Sequence, residues 1–238
     1  MNGIEKMPPV FPEPPPGLTV HAGWLIDGSG GPARPNVRLQ LAGGLIRRVG
    51  GVDACAPPGA GAEPHLDLRG CTVIPGLIDS HVHLTMCGAP DEALRAWLRE
   101  APFQAVGGVI LENLRAHLRH GVVAVRDGGG ARANALRFAR AARVHPGPAV
   151  RIFAAGRAWH RAGRYGRLIG RPPEAGQSLA QAVRRDAEAP DHVKIVNSGL
   201  NSLSEFGKQT APQFDSGELA QAVRAAGGVP FEFNTIGV

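Results

Sequence analysis

Two histidines carry the first chemical signal in this chain. Asp79, His81 and His83 stand at alternate positions in the run Asp79-Ser80-His81-Val82-His83, so on an extended strand they share one face. Two neutral imidazoles on neighbouring same-face positions can meet one cation at roughly 2.0–2.1 Å if it is zinc, and nitrogen donors suit Zn, Ni, Fe or Mn. Taken alone, a His-x-His triplet is weak evidence and is more often two loop histidines making ordinary hydrogen bonds. Position favours metal chemistry. The pair closes an apolar run and follows Pro75-Gly76, which sets it at the carboxyl end of a strand, where βα barrels gather their active sites. Asp79 either orients one of the rings or caps the turn.

Other side chains of suitable type are spread along the chain. Asp127 closes the apolar run 122–126 ahead of Gly128 and Gly129, and either joins the site or supports the glycine loop. Lys194 sits in the apolar run 192–196 and is one of three lysines, with Lys6 and Lys208. It reaches either into a site or out to solvent. Segment 159–167 holds the one tyrosine among several arginines. Its His160, Arg164 and Tyr165 are a candidate clamp for a substrate carboxylate, against the plainer reading of a solvated loop.

These residues need elements to carry them. From 18 to 73 the chain shows short alternating runs broken by glycine, a strand pattern. Residues 37–41 and 45–49 flank Ala42-Gly43-Gly44 and predict a hairpin; a further strand is expected near 65–68. From 72 onward, nearly continuous apolar runs at 72–78, 122–126, 149–154 and 192–196 read as parallel strands buried on both faces. Helices are expected between them: 104–119 closed by Gly121, 131–143 closed by Pro146-Gly147-Pro148, and 178–188 stopped by Pro190. A fourth starts at Asp215, with Glu218 three residues on as in a capping box.

Four strand–helix alternations leave two α/β folds. A doubly wound sheet usually carries a tight phosphate loop after its first strand, and histidines occupy that place. An eight-unit barrel needs about 250 residues. The expected fold class is therefore α/β: the first half of a (β/α)8 TIM-like barrel, about four βα units. Residues 74–238 would form strands 1–4 and the start of strand 5, preceded by a small β-sandwich-type unit at 18–73 and a Pro-rich flexible tail at 1–17.

Pro75-Gly76-Leu77-Ile78-Asp79-Ser80-His81-Val82-His83 resembles the first barrel strand of the metal-dependent amidohydrolase superfamily. Ile26-Asp27-Gly28-Ser29-Gly30-Gly31 resembles part of the small β domain those enzymes carry, and Gly121-Val122-Val123-Ala124-Val125-Arg126-Asp127-Gly128-Gly129 their second strand. Asp191-His192-Val193-Lys194-Ile195-Val196-Asn197-Ser198-Gly199 is similar to the fourth, in the branch of imidazolonepropionases and prolidase-like members. The likeness runs over roughly 18–228.

The resemblance implies a divalent metal site, one or two ions with zinc the first candidate. His81 and His83 would be ligands, and Lys194 would bridge as a carbamate formed with carbon dioxide. It implies Asp79 and Asp127 as supporting residues, and a small-molecule amide or cyclic amide whose C–N bond is hydrolysed by an activated water. The catalytic acid–base group is expected to be an aspartate on strand 8, with further histidines on strands 5 and 6. The final run Val229-Pro230-Phe231-Glu232-Phe233-Asn234-Thr235-Ile236-Gly237-Val238 lacks such a histidine, so the chain is expected to be C-terminally truncated. The alternative is a catalytically silent fragment or partner-binding half-barrel, prone to self-association as a homo-oligomer through exposed barrel edges.

Composition narrows the function classes. Of 26 basic residues all but three are arginines, they are spread along the chain, and the net charge is +6; no basic stripe interleaved with aromatics marks a nucleic-acid binder. No apolar run approaches the ~20 residues of a membrane span, and the proline-rich start lacks a signal-peptide core. Three cysteines, Cys55, Cys71 and Cys87, are odd in number and not at metal-finger spacing; a reducing compartment, the cytoplasm, is expected.

Overall fold

The computed structural model describes residues 16–51, 64–144, 150–197 and 211–234. Most of the expected tail, Cys55, the Pro146-Gly147-Pro148 break, Ser198 with Gly199, and residues 235–238 lie outside them. The chain divides into two compact units, Pro9–Leu77 and Ile78–Val238.

In the first unit, β1 (Gly17–Leu25), β2 (Arg34–Ala42), β3 (Leu45–Gly51) and β4 (His65–Val73) form one sheet in the order β3-β2-β1-β4. Gly17, placed in the tail by the sequence reading, is the first residue of β1. The predicted hairpin is β2–β3, antiparallel with Ala42 opposite Leu45. Its two-residue turn has Gly43 and Gly44 at φ +58° and +73°, as a type I′ turn requires. β4 runs parallel to β1. Val20, Ala22, Leu25, Val37 and Leu39 bury a small core of their own. Where a sandwich-type unit was expected, the described residues form a single mixed sheet.

One expected strand is divided. Thr72 and Val73 pair with Trp24 and Leu25 in the first unit, and β5 starts only at Leu77 (Leu77–Val82). The reason is local, because Pro75 has no amide hydrogen and Gly76 adds backbone freedom, so the ladder breaks between them.

The second unit alternates strands and helices. After β5 come α1 (Glu92–Glu100), α2 (Phe103–Arg119), β6 (Val122–Asp127), α3 (Asn134–Val144) and β7 (Arg151–Ala154). Then follow β8 (Ala158–Trp159), β9 (Gly170–Arg171), α4 (Leu179–Arg184), β10 (Val193–Val196), α5 (Ser216–Ala225) and β11 (Phe231–Asn234). α1 was not foreseen, although Asp91 caps it by accepting from the Leu94 amide at 3.1 Å. The helix expected over 178–188 is shorter, opening on a Ser178–Gln181 capping box. The Asp215–Glu218 box forms at α5.

Strands are ordered β5-β6-β7 in one sheet and β11-β10-β8-β9 in the other. β6–β7, β8–β9, β8–β10 and β10–β11 are all parallel. β10, the fourth strand of the expected half-barrel and so one of its expected open edges, lies between β8 and β11, because β11 completes its hydrogen bonds. Two apolar clusters lie between strands and helices: Leu84, Ile110, Leu114, Val125, Phe138 and Ile152 around the first sheet, and Trp159, Leu179, Val183, Val193, Ile195 and Phe214 around the second.

Candidate functional site

Strand alternation sorts the side chains into two sets. Val193 and Ile195 of β10 pack with Phe231 of β11 against α4 and α5, which turns Lys194 to the opposite face. Glu232 is the register partner of Lys194 in the parallel pair and shares that face. In β5, Val82 packs into the apolar cluster, so Asp79 and His81 face the other way.

Glu232 is where these side chains meet. Its Oε1 accepts from Lys194 Nζ at 2.5 Å and lies 2.6 Å from His81 Nδ1. Its Oε2 lies 3.1 Å from His192 Nε2 and 3.3 Å from Arg126 Nε. Lys194 is 1% exposed and Glu232 7%, so the ammonium needs a buried counter-charge, and this carboxylate supplies it. Burial alone would raise the Glu232 pKa; the hydrogen bonds from His192, Lys194 and His81 outweigh it and hold the carboxyl well below the usual carboxylate range.

His83 is anchored differently. Its Nδ1 lies 2.9 Å from the Gly129 carbonyl oxygen, which only accepts, so the proton sits on Nδ1 and the lone pair on Nε2. His81 likewise donates from Nδ1, to the Glu232 carboxylate. Anchoring Nδ1 on an acceptor is how metal-binding histidines are commonly oriented. The rings meet edge to face, 5.3 Å between centroids. Gly128 makes room for both: a Cβ there would stand 3.0 Å from His83 Cε1 and 3.3 Å from His81 Cε1.

The two aspartates support backbone. Asp127 is buried and accepts from the Leu84 amide at 2.8 Å and the Gly129 amide at 2.9 Å. It thereby fixes the loop whose carbonyl holds His83. Burial pushes its pKa up, against the two amide hydrogen bonds. Asp79 accepts from the His81 backbone amide at 3.0 Å and lies 3.7 Å from His117 Nε2; neither contact is to the ring of His81 or His83.

The loop residues bond elsewhere. His160 is 2% exposed, with Nδ1 3.0 Å from the Arg161 carbonyl oxygen, and its buried Nε2 has no partner among the described residues. Arg164 donates to the Ala211 carbonyl at 2.6 Å. Tyr165 is 45% exposed, and its carbonyl accepts from Gln213.

The structure therefore brings His81 and Lys194 to one oxygen atom and sets His83 beside His81. Sequence reasoning missed Glu232, His192 and Arg126 as members of the cluster. A usable signal existed: a lone acid between two phenylalanines in Phe231-Glu232-Phe233 must face away from the apolar layer. Among the described residues no three His, Cys, Asp or Glu side chains stand together as a metal-holding group. The two imidazoles, each with Nδ1 engaged and Nε2 remaining, fit two positions of a ligand set, while Lys194, whose nitrogen donates to Glu232, is not a metal ligand in this arrangement.

The amidohydrolase family profile matches residues 72–228. An imidazolonepropionase from Symbiobacterium thermophilum is 35% identical over 114 residues, 42% of this chain and 27% of that protein. An N-acyl-D-glutamate deacylase from Alcaligenes xylosoxydans xylosoxydans is 39% identical over 66 residues, 28% of this chain and 12% of that protein. A solved Xaa-Pro dipeptidase with bound methionine in the active site aligns with a TM-score of 0.68 at 22% identity, over 92% of this chain and 56% of that one. The chain thus spans about half the length of that solved structure, and its alignments reach 27% or less of these two curated relatives. No described helix is long and apolar enough to cross a membrane. The family match runs through most of the second unit and well over half of the sequence, and the chain belongs to the amidohydrolase family.

Proposed function

We propose that these residues form the first four strands and the start of the fifth in a (β/α)8 barrel, residues 74–238, with the small β unit at 18–73 before it. The protein would be a metal-dependent hydrolase of amide or cyclic amide C–N bonds acting on small molecules in the cytoplasm. The paired Nδ1 anchors, Glu232 on His81 and the Gly129 carbonyl on His83, carry this reading, because each engages Nδ1 and leaves Nε2 as the ring atom that would meet an ion. The relatives act in the same sense: the names imidazolonepropionase and N-acyl-D-glutamate deacylase describe C–N hydrolases.

His81 and His83 would hold the ion through Nε2. When bound, a divalent ion supplies Lewis acidity for a water and for the amide carbonyl. Asp127 keeps the His83 anchor in place through Gly129. Lys194 joins the ligands only as a carbamate, which requires its nitrogen to leave Glu232 and lose a proton. His160, with Nε2 buried and unpartnered among the described residues, is the member of the 159–167 segment best placed for a polar group of a ligand, ahead of Arg164 and Tyr165. The leaving nitrogen needs a proton from a further group, for which an aspartate on strand 8 is the expected donor.

A second reading, a catalytically silent half that binds a partner, is favoured by one observation: the Lys194–Glu232 pair withholds the third expected ligand. Metal analysis and amide hydrolysis on the purified chain separate the two. Turnover that a chelator abolishes and His81→Ala removes supports the hydrolase; full activity in a metal-free preparation refutes it. Self-association through β5, a sheet edge where Ile78 is 71% exposed, is part of the proposal; a sharp monomer peak on sizing at micromolar concentration counts against it.

A further inference from the structure

The turn that follows β5 is held from three directions. The Met86 amide donates to the His83 carbonyl at 3.0 Å, which closes residues 83–86 as a β-turn and leaves its other carbonyls to be satisfied from outside. Asn113 of α2, 29 residues from Leu84, satisfies two of them: its Nδ2 donates to the Leu84 carbonyl at 2.9 Å and to the Met86 carbonyl at 3.0 Å. That uses both hydrogens of the side-chain amide. At the nitrogen of the same residue, Asp127 of β6 accepts from the Leu84 amide at 2.8 Å. Leu84, the residue after His83, is thus gripped at its nitrogen by β6 and at its oxygen by α2, and it is 1% exposed.

The place of Asn113 on its helix points the same way. Val106, Ile110 and Leu114 are the buried residues of α2, and Asn113 stands three past Ile110, beside Leu114 on the same stripe, where an apolar side chain would add to the core. An amide there needs partners, and the turn supplies them. Asp127 also accepts from the Gly129 amide, and the Gly129 carbonyl holds His83 Nδ1. The backbone beside His83 and the acceptor for its ring therefore hang on one carboxylate. A single bond at the Leu84 amide would let the turn swing about it; the two carbonyl bonds from α2 fix its orientation. We propose that Asn113 is a positioning residue for His83, setting the turn so that the ring meets the Gly129 carbonyl and keeps Nε2 for a ligand. That the ligand is a metal ion rests on the hydrolase reading above; the holding of the ring does not.

Two readouts on the full chain test it: zinc affinity by competition with a chelating dye, and the tautomer of the His83 ring from long-range proton–nitrogen correlation spectra at about pH 8, above the ordinary histidine range. His83→Gln assigns the ring signals. Asn113→Asp keeps the shape of the side chain but sets carboxylate oxygens against two carbonyl oxygens. Its zinc affinity is expected to fall about 10–100-fold, as for lost orienting contacts, and its His83 to pass from the form protonated on Nδ1 to a mixture of both forms. Asn113→Gln keeps the two donors and is expected to lie closer to the parent in both readouts. Asn113→Ala, which opens the two carbonyls to water, is expected to shift both in the direction of the aspartate variant; circular dichroism verifies the fold of each. Ile110→Val shortens a buried side chain of the same helix without touching the turn, so it is expected to lower the denaturation midpoint and leave zinc affinity and the His83 tautomer unchanged. An unchanged tautomer in both the aspartate and alanine variants, or an equal change in Ile110→Val, overturns the inference, as does a parent that binds zinc with an affinity that neither Asn113 variant alters. A parent that binds no zinc while Asn113→Asp shifts the tautomer refutes the metal reading and leaves the role of Asn113 standing.

Discussion

Replacing Glu232 by glutamine isolates the central electrostatic relation of the second unit. The amide keeps the size of the carboxylate and can still bond to His81 and His192, but it leaves the Lys194 ammonium, 1% exposed, without its counter-ion. Removing one partner of a buried pair costs about 3–5 kcal/mol. At about 2–4 °C per kcal/mol for a domain of this size, that lowers Tm by roughly 6–20 °C. Lys194→Met should cost less, because Glu232 keeps Arg126 at 3.3 Å and His192 at 3.1 Å. The double variant Lys194→Met/Glu232→Leu should return to within about 1 kcal/mol of the parent, a coupling that a double-mutant cycle reads directly. The pH dependence has a defined sign. Glu232 is held below its ordinary value of 4.5, so its contribution is present above about pH 4.5 and is lost as pH falls through the folded-state pKa. The gap between parent and Glu232→Gln, followed by urea denaturation with circular dichroism, should be widest near pH 7 and narrow on acidification. A variant within about 1 kcal/mol of the parent at pH 7 would refute the pairing. A more stable variant would refute it too, and would indicate that Lys194 carries a negative carbamate that the carboxylate repels.

Two further substitutions test the supports of the histidine pair. Gly128→Ala places a Cβ at 3.0 Å from His83 and 3.3 Å from His81, so zinc affinity measured by competition with a chelating dye should fall by about 10–100-fold, as for lost orienting contacts, with the fold retained; unchanged affinity would show that the rings do not converge there. Asp127→Asn replaces one acceptor oxygen by an amide that faces a backbone N–H, at a cost of about 1–3 kcal/mol. Because burial raises the Asp127 pKa above 3.8, the parent's contribution from the neutral acid is complete below pH 3.8 and declines as pH rises through the folded-state value; the variant's stability profile should lack that decline, and an identical profile would assign it elsewhere.

Much of the second unit was legible because its signals are local. Strands β6, β7 and β10 appear within a few residues of the apolar runs that mark them, and the Ser178 and Asp215 caps sit where their hydroxyl and carboxylate can reach an amide three residues on. α1 was missed because Trp97 and Leu94, which are exposed, blur its apolar face. The two-residue strands β8 and β9 carry no periodicity at all. The nearness of His81 to His83, the latter one residue past the end of β5, follows from the period of two that an extended segment obeys.

Local patterns in the chain mark the histidine pair, the helix starts at Ser178 and Asp215, and the family. Tertiary structure alone decided that Lys194 and His81 share an oxygen of Glu232, 38 residues from one and 151 from the other. Parallel pairing of β10 with β11 sets that neighbour relation, and register between strands joined through a helix is not written in either strand's own pattern. A buried ammonium must find an opposite charge, but which carboxylate serves depends on the folding of the whole unit.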